Sequence, residues 1–218
     1  MQIAIALYPE FTSLDALGPY QVLQHVPDTE TLFVAERAGE LRDDYGALRL
    51  TIDHTFSDVG APDVIVVPGG TITRSLATPD EPIVRWIRSV HPTTTWTTSV
   101  CTGSLLLGAA GLLAGLDATT HWCSYDELAS FGAKPTGDRV VRRGKIITAA
   151  GVSSGIDMGL TLAGEIAGPE VAQAIQLAIE YDPQPPFDAG SPTKAPADIV
   201  ELVSAINAEV AAAIASRP

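Results

Sequence analysis

Short apolar runs alternate with stretches of helical periodicity along most of the chain. The runs are rich in β-branched residues, and the stretches between them repeat apolar residues every three or four positions. This pattern predicts strands over residues 3–7, 31–36, 49–52, 63–70, 96–100 and 118–122, with a hairpin over 140–151. It predicts helices over residues 14–25, 80–90, 104–115, 124–131, 155–167, 169–181 and 196–216.

Strands that alternate with helices predict a mainly parallel sheet covered by helices on both faces, which is a three-layer α/β sandwich. We expect one domain over residues 1–218. Residues 182–196 are rich in proline and glycine and predict a loop that leads to the C-terminal helix. Active sites of such sheets lie at the carboxyl ends of the strands. Gly69, Gly70 and Cys101 are expected at that edge.

Composition and charge exclude several classes of function. Hydrophobic residues make up 46% of the 218 residues and charged residues 18%, which excludes global disorder. The formal net charge of −13 disfavours nucleic acid as a partner. The N-terminus lacks the basic start of a signal peptide, and no apolar run reaches the roughly 18 residues that span a membrane. Two cysteines are too few for a disulfide framework, so we expect a cytoplasmic protein that binds no membrane.

Cys101 stands where a strand gives way to a helix of small residues and leucines, in TTSVCTGSLLLGAAGLL. Strand, sharp turn and helix are the parts of a nucleophile elbow. A helix N-terminus beside the sulfur is expected to lower the thiol pKa and favour the reactive thiolate. The alternative is that Cys101 is a small buried apolar residue. Cys123 lacks this setting and is interpreted as core or helix-cap filler.

Several segments together resemble the ThiJ/PfpI superfamily, and within it the isonitrile hydratase group. They are LDALGPYQVL at 14–23, PGG at 68–70, SVCTGSLLLGAAGLL at 99–113, ATTHW at 118–122, AGVSSGIDMGLTLAGEIAG at 150–168 and EYDPQPPFDAGSP at 180–192. The resemblance implies a flavodoxin-like sandwich, a homodimer, a cysteine nucleophile and an acidic residue on the first helix that contacts the sulfur. Asp15 matches that acid.

The residue after the cysteine separates subgroups of the superfamily. Peptidase-like relatives carry histidine there as a base, whereas this chain has Thr102, as the hydratase group does. A protease is therefore disfavoured, and the Thr102 hydroxyl is expected to hydrogen-bond within the site. Asp15 could instead be an N-terminal helix cap. Beside a thiolate, its buried carboxyl would have a raised pKa and could donate a proton.

Five further positions are candidates for binding substrate. The N–H groups of Gly69 and Gly70, with that of Thr102, could hold developing negative charge, although a simple turn would also explain the glycine pair. His121 is either a structural histidine or, by the resemblance, a neighbour of the cysteine pocket. The resemblance also suggests that Val152 and Ser153 line the pocket, whereas the residues alone fit an ordinary helix start. No spacing of histidines, cysteines and acids indicates a metal site.

Three functions remain open at this point. The first is hydration of an isonitrile to the N-substituted formamide through a Cys101 thioimidate, with Asp15 as acid and base and without a cofactor. The second is glyoxalase or deglycase chemistry on small α-dicarbonyls. The third is a non-enzymatic ligand or redox sensor, since a cysteine of low pKa can oxidise.

Overall fold

A computed structural model describes residues 1–216 of the chain. The strands are β1 (Gln2–Ala6), β2 (Glu30–Ala35), β3 (Gly39–Arg42), β4 (Arg49–Ile52), β5 (His54–Thr55), β6 (Val64–Val67), β7 (Trp96–Val100), β8 (Asp117–Ala118), β9 (Lys134–Pro135), β10 (Val140–Arg143) and β11 (Ile146–Ala149). The helices are α1 (Ser13–Leu23), α2 (Thr73–Leu76), α3 (Pro82–Val90), α4 (Gly103–Ala109), α5 (Tyr125–Ser130), α6 (Ser154–Ala167), α7 (Pro169–Ala178) and α8 (Ala197–Ala215).

Seven strands form the central sheet in the order β10-β11-β7-β6-β1-β2-β5. All neighbours are parallel except β10 and β11, which form the predicted antiparallel hairpin. Every residue of β6 and β7 is buried, as expected for strands covered on both faces. The mainly parallel sheet surrounded by helices confirms the predicted flavodoxin-like α/β fold.

Two groups of helices pack around the sheet. Helix α6 packs against α1 and α7, whereas α4 contacts α2, α3 and α5. Small residues allow α1 and α6 to approach closely, since a Cβ atom on Gly159 would lie 3.1 Å from Cβ of Val22. The helices therefore cover the central strands, and polar side chains gather at the carboxyl ends of these strands.

Three sequence predictions need correction. The helix after Cys101 ends at Ala109 instead of residue 115, because Gly111 and Gly115 adopt positive φ angles of 80° and 77°. The strand predicted over 118–122 is reduced to β8, because Thr119 and Thr120 use their polar groups on other segments. Strands β3, β5 and β9 and helix α2 were not predicted, since each is short and lacks a periodic pattern.

Within residues 1–216, no helix is long and apolar enough to cross a membrane.

Candidate active site

The candidate site lies where adjacent parallel strands end. Strand β6 ends at Val67 and leads into Gly69 and Gly70, β7 leads into Cys101, and β11 leads into Val152. Helix α1 brings Asp15 to the same place. The topology thus assembles residues that are far apart in sequence, as expected for the carboxyl edge of a parallel sheet.

Cys101 occupies a strained turn that its neighbours hold in place. Its φ angle is +56°, which is unusual for a residue other than glycine. Its N–H donates to the carbonyls of Ala149 (3.1 Å) and Ala150 (3.0 Å). Its own carbonyl accepts from the hydroxyls of Thr120 (3.0 Å) and Ser104 (3.2 Å). This geometry agrees with the predicted elbow.

The glycine after the elbow allows the turn to pass over the neighbouring strand. A Cβ atom on Gly103 would lie only 2.1 Å from the Val67 carbonyl oxygen. No side chain fits at that distance without moving the backbone. The sequence Cys-Thr-Gly therefore fixes how closely α4 approaches the end of β6.

Asp15 is fully buried and does not cap α1, since the N-cap is Thr12 and Asp15 lies within the first turn of the helix. Its Oδ2 atom accepts from the N–H of Gly69 at 2.9 Å. Its Oδ1 atom has no hydrogen bond of normal geometry within residues 1–216, although the carboxyl interacts with the Cys101 thiol. Burial raises the pKa of Asp15 to about 7. The carboxyl can therefore gain or lose a proton near neutral pH, as the sequence analysis expected.

The Cys101 side chain is only 6% exposed, yet it lines the edge of a cavity. Burial raises the pKa of its thiol, and the negative charge of Asp15 raises that pKa further. The N–H groups of Val152 and Thr102 point at the sulfur and have the smaller, opposite effect. The predicted lowering of the Cys101 pKa is therefore wrong. A raised pKa favours the protonated thiol, and the Asp15 carboxyl lies beside it.

The predicted anion-binding role of Gly69 and Gly70 also needs correction. The Gly69 N–H donates to Asp15, and the Gly70 N–H donates to the Thr102 hydroxyl at 3.2 Å. The third expected donor, the N–H of Thr102, points at the Cys101 sulfur. These N–H groups hold the acid, the threonine and the sulfur rather than an open oxyanion site. Glycine is needed at position 69 because a Cβ would lie 2.6 Å from the Thr102 hydroxyl oxygen.

Thr102 belongs to a buried chain of hydroxyl groups. Its Oγ1 donates to Oγ1 of Thr73 at 3.0 Å, and the Tyr8 hydroxyl lies 2.9 Å from the same Thr73 atom. Tyr8 also donates to the Pro68 carbonyl, and Thr73 donates to that of Gly70. The Thr102 hydroxyl therefore hydrogen-bonds within the site, as predicted, and ties the elbow to the loop after β6.

His121 lines the cavity near Cys101. Its Nδ1 atom accepts from the N–H of Cys123 at 3.3 Å, so a neutral ring carries its proton on Nε2. Burial, followed by the positive charge of Arg74, lowers the pKa of His121 and keeps the ring neutral. The structure thus places His121 at the pocket, which is the position that the resemblance implied.

Val152 and Ser153 have different positions. Val152 lines the cavity, and its φ angle of +30° turns its N–H toward the sulfur. Ser153 is exposed, and its hydroxyl accepts from Arg139 at 3.1 Å. The prediction that Ser153 lines the pocket is wrong, because the α6 start turns its side chain toward the β10 hairpin.

The cavity beside Cys101 has a volume of about 670 Å³. Its polar lining includes Thr71, Arg74, His121 and Ser124. Helix α8 also lines it, through Ile206, Asn207, Val210, Ala213 and Ile214. A second cavity of about 380 Å³, lined by Leu7, Phe56 and Ile83 among others, does not include Cys101.

Sequence reasoning missed the contributions of Arg74 and α8 to this site. Arg74 donates to Glu127 (2.7 Å) and Ser124 (2.8 Å), contacts that span about fifty positions and carry no local signal. The only available signal for α8 was its unusually apolar sequence. Among residues 1–216, no group of three His, Cys, Asp or Glu side chains is arranged to hold a metal ion.

Comparison with known proteins gives consistent results. Residues 1–165 match the model of the DJ-1/PfpI family. The isonitrile hydratase of Pseudomonas putida is 46% identical over 201 residues, which cover 92% of this chain and 87% of that protein. A ThiJ/PfpI family protein from Pseudomonas syringae has a crystal structure with a TM-score of 0.89 at 39% identity, over 99% of this chain and 90% of that one.

More distant structures share the fold alone. DJ-1beta of Drosophila melanogaster superposes with a TM-score of 0.74 at 18% identity, over 82% of this chain and 97% of that one. The family match ends at residue 165, within α6, so α7 and α8 lie outside it.

Proposed function

The chain belongs to the DJ-1/PfpI family, and on that premise we propose that it is a lyase that hydrates an isonitrile to the N-substituted formamide. Cys101 is the nucleophile, and Asp15 is the acid and base. The 46% identity to an isonitrile hydratase over most of both chains supports the reaction class.

One observation carries the proposal: a buried carboxyl with a pKa of about 7 interacts with the elbow thiol. Addition of a thiol across an isonitrile carbon needs a base to remove the sulfur proton and an acid to protonate that carbon. A single group that titrates near neutral pH can do both in turn. Asp15 Oδ1 is buried without a normal hydrogen bond to residues 1–216, which leaves it available for that proton.

In the first half of the reaction, a sulfur–carbon bond forms between Cys101 and the terminal carbon of the isonitrile. The Asp15 carboxylate takes the thiol proton as this bond forms and then delivers it to the same carbon. The product is a thioimidate, in which the substrate nitrogen keeps a double bond to carbon. The proton has moved from sulfur to carbon, and Asp15 is again a carboxylate.

In the second half, water adds to the thioimidate carbon. Asp15 takes one water proton and delivers it to the nitrogen as the carbon–nitrogen double bond becomes single, which restores the carboxylate. The carbon–sulfur bond then breaks, and the sulfur leaves with the hydroxyl proton while the formamide carbonyl forms. The sum is one isonitrile and one water consumed for one formamide, with thiol and carboxylate restored.

Formamide production from an aryl isonitrile tests this function directly. We expect turnover by the intact protein and a loss of at least about 1,000-fold in Cys101→Ala, since the covalent step is removed. Cys123→Ser is the matched control, because it removes the other free thiol while its hydroxyl can still accept from Asn207 Nδ2. Absence of turnover by the intact protein, or equal turnover by Cys101→Ala, contradicts the proposal.

The same preparations should be assayed with methylglyoxal. We expect its consumption to be slow relative to isonitrile hydration. Rapid Cys101-dependent consumption of methylglyoxal without formamide production would select the α-dicarbonyl chemistry instead.

A further inference from the structure

We propose that α8 selects the substrate, by presenting an apolar wall to the uncharged, bulky apolar substituent of the isonitrile while Cys101 attacks its carbon. The inference rests on the proposed function for the identity of the substrate. It goes beyond that function by assigning the residues that choose among isonitriles. The residues are Ile206, Val210 and Ala213.

Helix α8 and Cys101 line the same cavity, so a substrate bound to the sulfur extends its substituent into a space that α8 helps to form. Ile206 and Val210 are one turn apart and therefore share one face of α8. Ile206 is 50% exposed and Val210 is 43% exposed, so both retain apolar surface that a ligand can cover.

Packing in the core does not explain the apolar character of α8. None of its side chains from Ala197 to Ile214 is buried, although the helix is rich in isoleucine, valine, leucine and alanine. Its attachment to the site includes a polar contact, in which Asn207 Nδ2 donates to Cys123 Sγ at 3.4 Å. That contact positions α8 beside His121 and leaves the flanking apolar residues to line the cavity.

Carboxylates of Glu10 and Asp44 line the cavity, and they oppose an anionic substituent. Among residues 1–216, Arg74 is the arginine that lines the cavity, and it already donates to Glu127 and Ser124. An uncharged apolar group placed against α8 avoids the carboxylates and removes exposed apolar surface from water.

Helix α8 lies outside the part of the chain that matches the DJ-1/PfpI family model. The family match ends at residue 165, whereas the reacting residues Asp15 and Cys101 lie within it. Chemistry and choice of substituent are therefore carried by different parts of the chain.

Alkylation of Cys101 tests the wall without relying on hydration. Iodoacetamide and N-benzyliodoacetamide each form a sulfur–carbon bond and release iodide, and they differ only in the apolar group. We measure the ratio of their second-order rate constants by mass spectrometry. The intact protein should favour the benzyl reagent, and Ile206→Ala with Val210→Ala should lower the ratio about tenfold. Alanine preserves helix propensity, so α8 itself should remain.

Two further variants complete the design. Leu202→Ala is the matched control, because Leu202 is an exposed apolar residue of α8 that does not line the cavity. Ala213→Phe fills the cavity instead of emptying it, and it should slow the benzyl reagent while leaving iodoacetamide nearly unchanged. An unchanged ratio in both cavity variants, or an equal change in Leu202→Ala, overturns the proposal.

The same variants are then compared in hydration of methyl and cyclohexyl isonitrile. A shifted alkylation ratio with no formamide from either substrate would refute the proposed reaction but support the wall. Formamide production with an unaltered alkylation ratio would support the reaction and refute the wall.

Discussion

Strained backbone residues are concentrated around the reacting sulfur. Among residues 1–216, five non-glycine residues have positive φ, and three of them, Glu10, Cys101 and Val152, line the same cavity. Each such conformation costs about 1–3 kcal/mol and persists only where surrounding contacts enforce it. At Cys101 and Val152 the strain directs the sulfur and an N–H group toward each other. The local cost is consistent with a site organised before substrate binds.

The proton shared by Asp15 and Cys101 sets the expected pH dependence. The reactive pair holds one proton in total, as carboxylate plus thiol or as carboxylic acid plus thiolate. Below the Asp15 pKa of about 7, the pair gains a second proton and becomes inactive. We therefore expect kcat/KM for isonitrile hydration to fall about tenfold per pH unit on the acid side of this pKa.

A pH profile of the intact protein and of Asp15→Asn checks this expectation. Asp15→Asn should lose at least about 100-fold in kcat/KM at pH 8. The remaining kcat/KM should no longer fall as pH decreases through 7. A profile of the intact protein that is flat from pH 5 to pH 8 contradicts the assignment of Asp15.

The same carboxyl should make the protein less stable as pH rises. The folded state binds the Asp15 proton more tightly than the unfolded state, because the pKa rises from 3.8 to about 7 on folding. The stabilising effect of that proton is complete below pH 3.8 and is lost as pH rises toward 7. We expect Asp15→Asn to raise the free energy of unfolding at pH 8 by about 4 kcal/mol, since the amide still accepts from Gly69.

Urea unfolding at pH 5 and pH 8 measures this effect, and the difference between the two proteins isolates Asp15 from other titrating groups. Asp126→Asn is the control, because it removes the same charge from an exposed position on α5. If Asp15→Asn is the less stable protein at pH 8, the carboxylate contributes to folding and the linkage argument is wrong.

At the scale of elements, local patterns predicted most of the central sheet and the helices packed against it. Strands β1, β2, β4, β6, β7, β10 and β11 and all helices except α2 were expected near their observed positions. The pairing of β3 with β4 and of β2 with β5 was not expected, because tertiary contacts determine which strands pair. The elbow was predictable because a β-branched strand, a cysteine and a glycine stand together in sequence.

The candidate site was less predictable than the elements that carry it. Asp15 and Cys101 could be paired only through the resemblance, since residues 86 positions apart have no local relation. Three other features depend on side-chain positions that the sequence does not give. They are the direction of the Gly69 N–H, the exposure of Ser153 and the raised pKa of the Cys101 thiol. Burial raises the pKa of the Cys101 thiol more than the N–H groups of Val152 and Thr102 lower it.

The junction between β7 and α4 should tolerate no side chain after Thr102. Gly103→Ala places a Cβ atom against the Val67 carbonyl, so the backbone must move. We expect a loss of about 3 kcal/mol in the free energy of unfolding, together with a large loss of Cys101 reactivity. Thermal or urea unfolding measures the first effect, and iodoacetamide labelling measures the second.

Gly60→Ala is the matched control for this substitution. A Cβ on Gly60 meets no atom within 4 Å, and Gly60 does not have a positive φ. If the two alanine variants are equally stable, the tight contact at the elbow does not constrain the fold.

At the scale of the whole molecule, we propose that the chain forms a homodimer. Large apolar side chains are exposed on α7 and in the segment before α8, namely Leu177 and Phe187. Sedimentation velocity at micromolar concentration should give a species of twice the 22.8 kDa chain mass. With a net charge of −13, association should strengthen as salt screens the repulsion between copies. A single species of chain mass at all salt concentrations contradicts the proposal.

No side chain of α8 from Ala197 to Ile214 is buried, whereas Cys101 and Asp15 are buried in the protein interior. Substitutions on a surface helix change the free energy of unfolding little, whereas substitutions of the buried residues around Cys101 change it strongly. Relatives can therefore diverge in α8 during evolution without endangering the enclosed thiol and carboxyl. Among related sequences, we expect few amino-acid differences at the strand ends around Cys101 and most differences in the last two dozen positions.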